Sequence, residues 1–400
     1  MQLTPEQEQM LAGAHGEVKQ RMLRLLVAIG EIYGAERMVP ITSAQISGVS
    51  YKSIGDPGLQ LLEDLANSGA RVEVPTTLNP TGMDLKLWKE LGIPADFAEK
   101  QLRIVEAFRR MGVQITATCV PYLVGNRPKF GERIAWAESS AVVFANSVLG
   151  ARTNRESGLT ALAAAICGVT PEYGLHLEQN RKATLVVDVE VGLKGAADFG
   201  ALGHFVGSKF PNAVPYFRGL GNPSEDELKA LGAAMAASGA IAMFHAENLT
   251  PEAKDQELEG LERLKFNSDD LAQARAQLGS ELEPDLAVIG CPHASLAEIQ
   301  EIAQKLRGKR VKKPLWVCTA RKIREIAEQK GFIQTIEKAG GLVIADTCAV
   351  VAPLEALGFG SVAVNSAKAA RYLPSLCKQK VIYKSLDEIV SLITEPEDAK

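Results

Sequence analysis

Asp285-Leu-Ala-Val-Ile-Gly-Cys-Pro-His-Ala-Ser295 and Leu342-Val-Ile-Ala-Asp-Thr-Cys348 are apolar, strand-like runs that each run out at a cysteine. Around them the chain alternates regularly. Strands are expected at 285–290, 314–319, 342–346, 361–364 and 380–384, and helices at 295–306, 322–337, 366–376 and 386–393. Strand and helix alternating at this spacing predict an α/β lobe of Rossmann-like type, with a mostly parallel sheet covered on both faces. In such folds ligands gather outside the carboxyl ends of the strands, where these two cysteines stand.

Upstream, the same alternation is coarser. Helix-like runs cover 17–34, 58–69 and 95–112, with short β-branched runs near 38–46, 71–77 and 113–119. The last of these ends in Ile115-Thr-Ala-Thr-Cys119, a third cysteine at the end of a strand-like run. A small-residue helical stretch follows at 132–168, then a strand at 183–190, a helix at 225–237 and a strand at 239–245. Residues 247–284 are polar and charged throughout. They divide the chain into N-terminal α/β lobes (1–246), a connecting segment (247–284) and a C-terminal α/β lobe (285–400).

The 400 residues are 46% hydrophobic and 23% charged, ordinary values for a soluble globular protein. A net charge of −4 argues against a nucleic-acid partner, since phosphate backbones call for a basic face. The longest apolar stretch, Ala230 to Phe244, is Ala/Gly-rich and too short to span a bilayer, so no membrane association is expected. No secretory pattern opens the sequence, and six cysteines in 400 residues do not make a disulfide framework. The expectation is a cytoplasmic protein with reduced thiols.

Two readings of Cys119, Cys291 and Cys348 stand side by side. Three thiolates can hold an iron–sulfur cluster and leave one iron open to substrate; equally, buried cysteines act as small hydrophobes. Cys167, Cys318 and Cys377 read as packing residues on helices or inside a strand. His293, in Cys291-Pro-His-Ala-Ser, reads as a partner of the site or as a helix-capping or packing residue, and Asp346 as a site residue or a strand end. Gly48-Val-Ser-Tyr-Lys-Ser-Ile-Gly-Asp-Pro-Gly58 sits between strand and helix, where backbone amides receive a phosphate or carboxylate. Thr76-Thr-Leu-Asn-Pro-Thr-Gly82 is a strand end running into a turn. Glu138-Ser-Ser-Ala-Val-Val-Phe-Ala-Asn146-Ser147-Val-Leu-Gly-Ala-Arg152-Thr-Asn-Arg155-Glu156 sets two Arg, two Asn and three Ser among apolar residues. It is either an internal hydrogen-bond network or an anion site. Asn365-Ser-Ala-Lys368 brings a cation to another strand-to-helix turn.

These motifs, in this order and from end to end of the chain, resemble the large subunits of the aconitase X family, the archaeal-type branch above all. The resemblance rests on Gly48-Val-Ser-Tyr-Lys, Thr77-Leu-Asn-Pro, Thr118-Cys-Val-Pro-Tyr, Pro128-Lys-Phe-Gly and the run from Phe144 to Glu156. It continues through Tyr173-Gly-Leu-His-Leu, Gly290-Cys-Pro-His-Ala-Ser, Asp346-Thr-Cys and Asn365-Ser-Ala-Lys. It implies an aconitase-like, multi-lobed assembly around an iron–sulfur cluster held by Cys119, Cys291 and Cys348. That cluster is expected as [4Fe-4S] with one open iron, isolable also as [3Fe-4S], [2Fe-2S] or apo. The substrate contacts implied are Gly48, Val49, Ser50, Asn79, Pro80, Asn146, Ser147 and Lys368, with Lys368, Arg152 and Arg155 as candidates for a phosphate.

The activity implied is dehydration of a small anionic hydroxy acid, (R)-5-phosphomevalonate, to trans-anhydromevalonate 5-phosphate, in isoprenoid biosynthesis. A separate small subunit is the implied partner, and a serine of that subunit the expected base, because no residue of this chain stands out as one. Fused members of the family dehydrate cis-3-hydroxy-L-proline, the alternative substrate. The alternative of another class is a non-catalytic subunit whose cysteines pack or hold zinc. Two departures, Ala367 for a glycine and Glu156-Ser-Gly for Glu-Gly-Gly, fall away from the proposed ligands.

Overall fold

A computed structural model describes residues 1–396; the last four residues of the expected C-terminal lobe lie outside it. Three parallel sheets carry the architecture. The first has the strand order Thr76–Leu78, Ala44–Ile46, Ala135–Trp136. All three strands are buried on both faces, so they show no alternation, and they carry polar Gln45, Thr76 and Thr77 as well as apolar residues. Helices Glu17–Ile32, Tyr51–Asn67, Ala95–Arg110 and Gly158–Cys167 supply apolar faces to this core, with Leu23, Leu26, Leu59, Leu62, Ile104 and Phe108 among its buried residues.

The second sheet runs His245–Ala246, Pro215–Arg218, Leu185–Val189, Glu262–Phe266, all parallel. Its last strand and the helix Ser268–Leu278 come from the polar stretch 247–284, which is therefore folded onto this sheet. The strand hides from pattern reading because it lies at the sheet edge: of Glu262-Arg-Leu-Lys-Phe266 only Phe266 is fully buried.

The helix Gly195–Lys209 is a second element missing from the sequence reading, since Gly200, Gly203 and Gly207 argue against a helix interior. Their reason is tertiary. This helix crosses Glu225–Gly239 so closely that a Cβ on Gly203 would collide with the Leu231 carbonyl, and one on Gly207 would crowd Gly239.

The third sheet matches the alternation read from the sequence. Its order is Leu342–Ala345, Leu315–Thr319, Leu286–Ala294, Ser361–Val364, Lys380–Tyr383, all parallel. The helix expected at 322–337 is two, Arg321–Gln329 and Phe332–Lys338, separated by Gly331 with φ 77°. The runs at 113–119 and 239–245 also depart from expectation. The first makes a single bridge from Gln114 to Thr77 and turns at Ala117, whose φ is +44°; only His245 of the second is in a strand. One buried cluster joins Val187 and Phe217 of the second sheet to Val288 and Ile344 of the third, so these lobes share a core. Among the described residues no helix is long and apolar enough to cross a membrane.

Candidate active site

The first and third sheets deliver their carboxyl ends to one cavity of about 200 Å³. From the first sheet come Ser47, after strand Ala44–Ile46; Asn79 and Pro80, after Thr76–Leu78; and Ala137, Glu138 and Ser139, after Ala135–Trp136. From the third come Cys291, Cys348 and Lys368, and Cys119 joins them from the extended segment beside Thr76–Leu78. Residues separated by more than 300 positions thus meet by the rule that governs ligand sites in parallel sheets. Gly290, with φ +100°, lets the chain before Cys291 run close to the neighbouring strand Leu315–Thr319 of the same sheet, because a Cβ there would strike the Cys318 carbonyl.

All six cysteines are free. Burial pushes the Cys119, Cys291 and Cys348 thiols up to about 12, against the pull of the Lys368 charge. Sulfur acceptor capacity is partly met already: the His293 amide donates to Cys119 Sγ at 3.2 Å, and the Val350 and Val351 amides favour the thiolate of Cys348. Among the described residues no three Cys, His, Asp or Glu side chains are grouped to clasp a single metal ion. The three thiols stand on separate segments around a cavity, Cys291 in the irregular last part of the strand Leu286–Ala294.

Glu138 and Lys368 form a buried ion pair on the cavity wall. Burial disfavours the Glu138 carboxylate, but Lys368 outweighs it, and hydrogen bonds from Asn79 Nδ2 (2.7 Å) and the Ser140 amide (3.3 Å) hold the pKa down to about 2. Lys368 is likewise kept charged: desolvation opposes its charge, while Glu138, Cys291 and Cys119 favour it. Lys368 Nζ also donates to Ser140 Oγ at 3.2 Å. Behind this pair Gln45 acts as a double anchor, donating to Asn79 Oδ1 at 3.1 Å and accepting from the Glu138 amide at 3.0 Å.

The structure sorts the residues singled out in the sequence. Cys119, Cys291, Cys348, Asn79, Pro80, Lys368 and Arg155 line the cavity. Gly48, Val49 and Ser50 stand one step behind Ser47; Val49 is in the core, and Ser50 Oγ donates to the Val351 carbonyl at 2.9 Å, tying this loop to the one after Cys348. Asn146, Ser147 and Arg152 are turned into the fold instead. Asn146 bonds Thr153 at both ends of its amide and donates to Ala242 O, Ser147 Oγ accepts the Phe244 amide, and Arg152 pairs with Glu178. Their neighbour Arg181 is buried, pairs with Glu252 at 2.5 Å and donates to the Asn146 carbonyl at 3.0 Å, so this network is structural. Arg155 is exposed, and among the described residues its side chain makes only a 3.5 Å bond to the Ala236 carbonyl and no ion pair. Asp346 is taken by Arg321, which also pairs with Asp84 at 2.6 Å.

The sequence reading missed Glu138 as a site residue, along with Ser47, Ser139 and Tyr372. For Glu138 a signal existed: a lone carboxylate inside Ile134-Ala-Trp-Ala-Glu-Ser-Ser-Ala-Val-Val is buried and must be paired. A larger hollow of about 560 Å³, at Lys194, Asp198, Glu227 and Arg275, contains none of the three cysteines. The backbone amides at its rim are already satisfied, Lys194 by Asp198 and Gly195 by Glu227, both at 3.0 Å.

Comparison with known proteins gives the same outline. Profiles described as the first, second and third domains of aconitase X match residues 1–179, 183–276 and 284–395 respectively. The phosphomevalonate dehydratase large subunit of Methanocaldococcus jannaschii is 53% identical, over 98% of this chain and 99% of that one. The cis-3-hydroxy-L-proline dehydratase of Pseudomonas aeruginosa is 36% identical, over 94% of this chain and 67% of its own length. The crystal structure of Thermococcus kodakaraensis aconitase X in its holo-form superposes with a TM-score of 0.93 at 45% identity, covering 98% of this chain and all of that one. With matching domains across its length, relatives at this identity and the same multi-lobed α/β fold, the chain belongs to the aconitase X family.

Proposed function

We propose that this chain is the cluster-bearing large subunit of a hydro-lyase that removes water from (R)-5-phosphomevalonate, giving trans-anhydromevalonate 5-phosphate, and that it works with a separate small subunit. The observation that carries the reading is the convergence of Cys119, Cys291 and Cys348 on one cavity beside the charged Lys368–Glu138 pair. The name of the Methanocaldococcus relative supports the substrate and the division into subunits.

The donor set fits an iron–sulfur cluster better than a single ion. In a [4Fe-4S] cluster each ligated iron takes a single thiolate, so thiols spread around a cavity suit it, and three thiols leave one iron without a protein ligand. Loading must release protons, since the thiols are neutral when empty. Bound there, the cluster supplies a Lewis acid for the departing hydroxyl. This chain's own residues do the rest of the electrostatic work. Lys368, held charged and in place by Glu138 and Ser140, offers a fixed positive charge to the substrate carboxylate, whose charge shifts as the α-proton leaves. Asn79 is committed to Glu138 and Gln45, so it positions the pair. Arg155, at the cavity and without a carboxylate partner among the described residues, is the group for the phosphate. Glu138 is a weak base with its pKa near 2, which leaves proton abstraction to a group of the small subunit.

The test is anaerobic purification with the small subunit, then assay for water loss from (R)-5-phosphomevalonate. Iron-dependent turnover is expected. An iron-bearing complex inert on that compound but active on cis-3-hydroxy-L-proline would replace the substrate and keep the chemistry. A complex without iron after reconstitution, inert on both, would make this a binding subunit.

A further inference from the structure

His293 is fully buried, and every polar atom it owns is spent on one of the three cysteine segments or on holding itself in place. Its Nε2 lies 2.9 Å from the carbonyl of Thr347, the residue before Cys348. Because a carbonyl only accepts, Nε2 carries the hydrogen, and Nδ1 is left to accept from the hydroxyl of Thr118, the residue before Cys119, at 2.9 Å. The histidine itself stands two residues after Cys291, and its amide donates to Cys119 Sγ. Its carbonyl accepts from Lys229 Nζ at 3.4 Å, and that buried ammonium is fixed by Asp226 at 2.7 Å and Glu298 at 2.5 Å. One imidazole therefore ties its own segment to two that are distant in sequence: positions 118, 293 and 347 have no local reason to stay in register. Thr118 is held in turn by its backbone bond to Leu78 at 2.9 Å, which ties the arrangement to the first sheet.

We infer that His293 is a positioning residue that holds the segments of Cys119, Cys291 and Cys348 in register before any cluster is present. It touches neither substrate nor reacting atoms. Its effect passes through the thiols: three segments already assembled capture a cluster without having to be ordered first, and resist its loss. The consequence for iron retention rests on the proposed cluster; the ordering of the empty segments does not.

The experiment uses the full chain, co-purified with its small subunit, as wild type, His293→Leu, His293→Gln, Thr118→Val and, as a control for general destabilisation, Leu162→Ala in the core of the first lobe. Amide hydrogen exchange on the apo protein is the first readout. His293→Leu should speed exchange in all three segments, 116–120, 291–295 and 346–350, and Thr118→Val in the first and second. Loosening confined to the neighbours of position 293 overturns the inference. The second readout is iron per chain and the rate of iron loss to a chelator. His293→Leu should lose iron about 10–100-fold faster, the usual cost of removing a group that orients metal ligands, and His293→Gln, with one donor and one acceptor, less so. Leu162→Ala should keep the wild-type rate. Wild-type loss rates in His293→Leu, or equal losses in Leu162→Ala, overturn it. If His293→Leu fails to fold, Thr118→Val decides alone. A wild type without iron after reconstitution would sink the cluster reading and leave the exchange result to judge His293.

Discussion

Cys119, Cys291 and Cys348 stand in different surroundings from Cys167, Cys318 and Cys377. The first three line a cavity; Cys318 lies at the centre of a buried strand, Cys167 on a packed helix, and Cys377 Sγ sits 3.3 Å from the Val350 carbonyl. Alanine at any of the first three positions is expected to remove the iron from the reconstituted protein, and alanine at any of the other three to leave it, as read by iron and sulfide content. Equal iron in all six variants would refute the ligand set. Lys368 gives a second residue-scale prediction. Lys368→Met leaves the Glu138 carboxylate buried without its counter-charge, and should cost roughly 3–5 kcal/mol in urea unfolding. Lys368→Met with Glu138→Gln should recover much of that loss, because the uncompensated charge, and not the missing bond, is the main expense. Two additive losses would show that the pair is not coupled.

Elements in this protein are placed by close approach as much as by apolar patterning. The helices Gly195–Lys209 and Glu225–Gly239 meet backbone to backbone through Gly203 and Gly207, leaving no room for side chains. Gly203→Val should therefore destabilise the chain by about 1–3 kcal/mol despite adding apolar volume and helix-compatible backbone. A rise in Tm would mean the helices can separate without loss. The short strands Ala44–Ile46, Thr76–Leu78 and Ala135–Trp136 make the complementary point. They are too brief to be stable alone, yet each ends at a residue of the cavity, so their register sets the site.

For the molecule as a whole, acid is the expected weakness. His176 is buried with neither ring nitrogen hydrogen-bonded in the structure, and desolvation, with Arg133 nearby, lowers its pKa from 6.5 to about 3. His204 and His245 are shifted in the same direction by burial. A depressed pKa means that folding favours the neutral ring. Its contribution is complete above pH 6.5 and is lost as pH falls toward the folded value. Unfolding free energy should thus decline from pH 6.5 to about 3, with a slope of up to about 1.4 kcal/mol per pH unit for each such group. His176→Leu should flatten that slope by one proton's worth, measured by urea titration at several pH values. An unchanged slope would show that His176 protonates without unfolding the chain.

Much of this organisation is legible in the chain itself. The third sheet could be read strand by strand because its strands are mostly apolar and buried and alternate regularly with amphipathic helices, so periodicity reports them directly. The candidate ligands could be read because cysteine is rare here and stands at the ends of apolar runs. What the sequence withheld are facts of contact between distant segments: the edge strand Glu262–Phe266, too exposed to show an apolar pattern; the glycine-bearing helix, which looks unhelical until its neighbour is seen; and the turning of Asn146, Ser147 and Arg152 into the fold. The partnership of Glu138 with Lys368, 230 positions apart, is of the same kind. Local order follows from patterns within a few turns of chain, and the sequence determined it. Which polar groups meet across two parallel sheets depends on packing that no local pattern encodes, so only the tertiary structure decided the site.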